Sequence, residues 1–130
     1  MEIREYRTYN AQEILPLYAS VGWTAYTDHP EVLRKGFENA MLTLAAYEDE
    51  QLLGIIRTVG DGHTIVLVQD ILVFPEHQRK GVGSALLQSI LDRYSHVVRS
   101  NWQRTIHRKP LLFKSLWASG RCLRSAAVDL

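Results

Sequence analysis

The stretch ILVFPEHQRKGVGSALL, residues 71–87, decides how this chain is read. It runs from an apolar strand, through Pro75 and two basic residues, into two glycines one residue apart. Helix formers follow. Glycine in a helix costs roughly 1 kcal/mol relative to alanine, so two glycines at a helix start imply that a bare backbone is required there. The first turn of a helix carries N–H groups without partners and partial positive charge. Such an end binds phosphate, provided no Cβ stands in the way. Gly81 and Gly83 supply that clearance, Arg79 and Lys80 add positive charge, and Ser84 adds a hydroxyl.

The spacing separates types of phosphate loop. GxxxxGK[ST] does not occur. The dinucleotide fingerprint GxGxxG lacks its third glycine in GVGSAL, and the loop follows the fourth strand rather than the first. The pattern present is Gln-x-x-Gly-x-Gly, with Gln78, Gly81 and Gly83 after a strand that ends apolar-x-Pro. Together with the order of elements over residues 1–96, this strongly resembles the GNAT superfamily of N-acetyltransferases.

That order is read outward from the loop. Thr64–Phe74 (TIVLVQDILVF) is nearly all apolar and β-branched, which predicts a strand covered on both faces and central in its sheet. Leu86, Leu87, Ile90, Leu91 and Tyr94 fall at helical spacing, so a helix runs to about Ser95. Upstream, Met1–Arg7 reads as an edge strand and Ala11–Val21 as a short helix interrupted by Pro16. GWTAYTDHP is a turn-rich aromatic stretch, and Pro30 opens a second helix through Ala40. Met41–Tyr47 and Leu52–Val59 form a hairpin about Glu48–Gln51, and Gly60–Gly62 turns into the apolar strand. The expected fold is α/β (α+β): a mixed, mainly antiparallel twisted sheet flanked by helices, a GNAT-like acyl-CoA N-acyltransferase fold that the tail leaves open to being incomplete at its C-terminus.

The resemblance implies an enzyme that moves an acetyl group from acetyl-CoA, its co-substrate, to a primary amine of a small molecule or peptide. It places the pantetheine arm against the backbone of Ile71, Leu72 and Val73. It places the pyrophosphate on the loop N–H groups of Arg79, Lys80, Gly81, Val82, Gly83 and Ser84, with Gln78 of the motif as a further cofactor-binding residue. Trp23 and Tyr26, in GWTAYT, fall where the family builds its acceptor wall, although both would serve equally as core beneath the loop. Asp70 interrupts the apolar strand, and a buried carboxylate is costly unless bonded or functional. It is the candidate catalytic base; the alternative is that it caps backbone or pairs with an arginine such as Arg57. A backbone N–H near Leu72 or Val73 is the expected oxyanion donor.

Bulk properties set the class. At 130 residues and 46% hydrophobic content the chain suits one domain, 1–130, and its net charge of +1 argues against nucleic acid as a general partner. No apolar run reaches the ~20 residues a bilayer span needs, and the first residues lack the apolar stretch of a signal peptide. Cys122 is the lone cysteine, and His29, His63, His77 and His96 are scattered, so no metal site is expected. A reduced, cytoplasmic setting follows as the expectation.

The charge is uneven. Residues 1–96 hold eight basic and thirteen acidic residues, whereas 97–130 hold seven basic residues and one acid, Asp129. In the family a Phe-Tyr pair follows, whose tyrosine often protonates the departing thiolate. Here LLFKSLWASG keeps Phe113 but follows it with Lys114, and no tyrosine occurs after Tyr94. A reading-frame shift near residue 97 is the favoured explanation; a divergent folded tail and a basic arm for an acidic partner or another chain remain open. A homodimer formed across an uncovered strand edge is a further expectation. The function classes therefore stand as an N-acetyltransferase, a CoA-binding protein with little or no turnover, and a nucleic-acid binder led by the tail.

Overall fold

The computed structural model describes residues 1–96. Four strands, β1 (Glu2–Glu5), β2 (Leu42–Glu48), β3 (Gln51–Gly60) and β4 (Val66–Val73), pair antiparallel in the order β1-β2-β3-β4. Helices α1 (Ala11–Ser20), α2 (Thr24–Thr27) and α3 (Pro30–Glu38) lie between β1 and β2, and α4 (Val82–Arg93) follows β4. One buried cluster packs Leu86 and Ile90 of α4 on Leu44, Ile56, Val66, Ile71 and Val73. A second packs Ile14, Leu17 and Tyr18 of α1 with Leu33 and Phe37 of α3 on Ala45, Ile55 and Leu72. The sheet is thus covered on both faces, and β4 contributes to both clusters. Laterally, β4 is not central among the described residues: it ends the sheet, next to β3. The tail of residues 97–130, with its reversed charge and the competing explanations for it, lies outside the described residues.

Three local outcomes differ from the sequence reading. Pro16 does not interrupt α1, which runs unbroken from Ala11 to Ser20. A proline inside a helix costs about 3 kcal/mol. Ile14, Leu17 and Tyr18 are fully buried on one face, and each such side chain returns roughly 1.5–3 kcal/mol, which outweighs that cost. GWTAYT is not all turn, because Thr24–Thr27 closes one helical turn, with Asp28 N–H bonding back to Thr24 O at 2.8 Å. And β4 starts at Val66, not Thr64, because the Asp61 carboxylate takes the N–H groups of His63, Thr64 and Ile65 at 2.7–3.1 Å. Those donors are therefore withdrawn from a ladder.

The β2–β3 hairpin turns on Asp49 and Glu50, both at positive φ (50° and 62°). That handedness matches the twist of the flanking strands.

β4 carries the irregularity that matters most. Arg57 pairs with Asp70 but Thr58 pairs with Val68, so Gln69 is an extra residue with no partner on β3. Strict alternation would put Val66, Val68, Asp70 and Leu72 on one face. The bulge shifts the phase. Val66, Val68, Ile71 and Val73 all pack with α4, whereas Leu72 joins the α1/α3 cluster and Asp70 meets Tyr18 of α1.

Candidate active site

β4 delivers the chain into the glycine loop. Pro75–His77 form one 3-10 turn, and Gln78 Nε2 donates to Val73 O at 3.0 Å, tying the loop to the strand end. Arg79 (φ +63°) and Gly81 (φ +84°) both take the left-handed conformation. For Gly81 this is inexpensive, and a Cβ there would meet nothing within 4 Å, so the space over it is open. Gly81 caps α4 without any side chain. The N–H groups of Val82, Gly83 and Ser84 stand in the first turn, where helices provide no acceptor. The Val82 side chain is core, while Lys80 and Ser84 are exposed. A bare, open, positively polarised helix start flanked by basic residues fits a diphosphate group.

Asp70 lies at the other end of the same segment, and 1% of it is exposed. Its Oδ2 accepts from Tyr18 Oη at 2.7 Å, from Arg57 Nε at 2.7 Å and from Arg57 Nη2. Its Oδ1 is equally buried and has no partner. Burial alone would lower the Arg57 guanidinium, but the Asp70 carboxylate outweighs that and its net shift is upward. Burial pushes the Tyr18 hydroxyl far up and the neighbouring carboxylate pushes it the same way, so Tyr18 stays a donor. The guanidinium also lies over the Phe37 ring, 5.2 Å from its centroid. It passes so close to α3 that a Cβ on Gly36 would sit 2.5 Å from Nη1.

Trp23 and Tyr26 adjoin this group through Tyr18. The Tyr18 ring lies 5.7 Å from Trp23 and 5.5 Å from Tyr26, both edge-on, and Trp23 lies 5.9 Å from Tyr26. Both are partly buried against the α1/α3 cluster. The fold thus brings Asp70, Trp23 and Tyr26 into one neighbourhood, with Ile71–Val73 running from it to the loop. The sequence points to Arg57 only as an alternative partner for Asp70 and carries no local sign that Tyr18, Gly36 and Gln69 belong to this group. The sequence carries no phase signal for the bulge, because residues 65–68 and 71–74 are apolar throughout and do not alternate. Among the described residues, no group of three or more His, Cys, Asp or Glu could hold a metal ion.

The family model of the acetyltransferase (GNAT) domain matches residues 7–112. The chain belongs to that family. The match passes residue 97, where the charge changes sign. A GNAT family acetyltransferase of Streptococcus pneumoniae is 32% identical, with a TM-score of 0.64 over 73% of this chain and 68% of that one. A protein of unknown function from meticillin-resistant Staphylococcus aureus is 25% identical, with a TM-score of 0.62 over 74% and 71%. An aminoglycoside 6'-N-acetyltransferase complexed with coenzyme A shares the fold at 18% identity, with a TM-score of 0.64 over 73% of this chain and 56% of that one. No curated protein sequence matches. This GNAT chain is an N-acetyltransferase, and enzymes of this kind take acetyl-CoA as co-substrate. No helix among its described residues is long and apolar enough to cross a membrane.

Proposed function

We propose that this GNAT protein transfers acetyl from acetyl-CoA to a primary amine of a small molecule or peptide, with Asp70 meeting the acceptor nitrogen. One observation carries the assignment to Asp70. Its Oδ1 is buried, unpartnered and one residue before the segment proposed to pair with pantetheine. A buried polar atom left without a partner costs about 1–3 kcal/mol, and an N–H from a bound amine would remove that cost.

Acetyl-CoA supplies an activated thioester. The loop N–H groups of Arg79, Lys80, Gly81, Val82, Gly83 and Ser84 hold its pyrophosphate, Gln78 fixes the loop to β4, and the backbone of Ile71, Leu72 and Val73 aligns the arm. Trp23 and Tyr26 wall the acceptor. As the nitrogen forms its bond to the carbonyl carbon and the C–S bond breaks, Oδ1 of Asp70 takes the proton leaving nitrogen. A backbone N–H near Leu72 or Val73 donates to the carbonyl oxygen, where charge develops. A reduced, cytoplasmic setting suits the single cysteine, Cys122.

The test is Asp70→Asn in a thiol-release assay, with acetyl-CoA and a panel of spermidine, tyramine, kanamycin and a lysyl tripeptide. A loss concentrated in kcat, with acetyl-CoA affinity by titration unchanged, supports the role. A wild-type rate removes Asp70 from the chemistry. The second reading, CoA binding with little turnover, is favoured by the absence of any tyrosine after Tyr94. Tight acetyl-CoA binding with no thiol released from any amine would select it.

A further inference from the structure

The environment of Asp70 is lopsided in a way that pairing alone does not require. All three donors converge on Oδ2, none reaches Oδ1, and both oxygens are buried. An arginine that serves only to neutralise a carboxylate commonly engages it as a fork, one N–H to each oxygen. Here Nε and Nη2 both address the same oxygen. The Tyr18 hydroxyl, arriving from α1, adds to that oxygen rather than satisfying the free one.

The guanidinium is itself held in place. Phe37 lies beneath it, and Gly36 is the residue of α3 whose missing Cβ gives Nη1 its room. Three elements, α1, α3 and β3, thus act on one oxygen of one side chain on β4.

We propose that Arg57 and Tyr18 are positioning residues for acetyl transfer: by occupying Oδ2 together they fix the rotation of the Asp70 carboxylate, so that Oδ1 alone is presented to the acceptor nitrogen. Gly36 is the steric allowance that lets Arg57 do so. The inference rests on the reading of Asp70 given above. Placement matters at this level because a 1 Å misplacement of a reacting group can lower a rate by about a hundredfold.

The experiment compares Arg57→Lys, which keeps the charge but not the two N–H groups, with Tyr18→Phe, which keeps the ring and removes only the hydroxyl. Each is made alone and in the Asp70→Asn background. Turnover is measured by thiol release from acetyl-CoA with the best amine of the panel above, and folding by the melting transition. Each single variant is expected to lose about tenfold to a hundredfold in kcat, with KM for acetyl-CoA within about twofold. Added to Asp70→Asn, neither should lower kcat further, because residues acting through one group are non-additive. Full additive losses in that background, or Arg57→Lys at the wild-type kcat, overturn the proposal. Asp70→Asn at the wild-type rate overturns instead the reading beneath it. Crystal structures of Tyr18→Phe and Arg57→Lys give an answer that needs no turnover. A rotated carboxylate, with its remaining donors redistributed over both oxygens, is expected; one unmoved in both variants overturns the proposal.

Discussion

Arg57 and Asp70 are register partners across β3 and β4, and their side chains meet as a buried ion pair on the face toward α1. A buried pair of this kind contributes little net stability compared with apolar residues, yet removing one partner is severe, because the other is left charged and dry.

Arg57→Met should therefore destabilise the protein by about 3–5 kcal/mol, a fall in Tm of at least about 10 °C. The double variant Arg57→Met/Asp70→Leu should recover most of it. Calorimetry on the pair decides: a single variant melting within about 2 °C of the parent would mean that the carboxylate finds other partners.

Asp61 makes stability depend on acid. The Thr64 hydroxyl at 2.6 Å and the N–H groups of His63, Thr64 and Ile65 hold its carboxyl well below the usual carboxylate range. A group depressed on folding stabilises above its unfolded pKa, about 3.9 for aspartate, and loses that contribution as pH falls through the folded value. Asp61→Ala should thus lower the urea midpoint at pH 7, and the gap from wild type should narrow steadily below about pH 4. A constant gap from pH 7 to pH 2 would show that the carboxylate charge has no part in the turn.

Gly54 of β3 stands opposite Val73, and a Cβ there would collide with the carbonyl oxygen of Leu72. The obstacle is backbone, which cannot swing aside. Gly54→Ala should cost about 1–3 kcal/mol, as overpacking does, and should loosen amide-exchange protection on β4. Unchanged protection there would show that the strands absorb the methyl.

Ser84 separates binding from folding. It is exposed in the first turn of α4, where an acid favours the helix by about 0.3–1 kcal/mol but opposes a phosphate. Ser84→Glu should keep or raise Tm while weakening acetyl-CoA binding about tenfold or more, as read by titration. Equal affinity in the variant would place the pyrophosphate elsewhere.

The loop and its helix were legible because their constraints are local. A left-handed residue at 81, a helix start at 82 and basic neighbours are properties of consecutive residues. The network around Asp70 was not, because Tyr18 and Asp70 are 52 positions apart and Arg57 and Asp70 are 13 apart. Only the folded sheet brings them together. Pro16 and GWTAYT show the same limit from the other side, since local propensity argued against helix and packing against the second cluster overrode it.

Gln69 has a consequence for how this site can be gained or lost. The face on which Asp70 emerges is set by leaving Gln69 outside the ladder, so that the paired residues on either side of it, Val68 and Asp70, face opposite ways. Trimming one codon at Gln69 would make those two neighbours in a regular ladder and keep the carboxylate toward α1. Pairing Gln69 with β3 instead would turn the carboxylate under α4 and strip Arg57 and Tyr18 of their partner. Substitutions along β4 tune the site by degrees, whereas a slip of one residue in pairing relocates it outright. What puts this carboxylate against the aromatic ring cluster is thus a skipped rung.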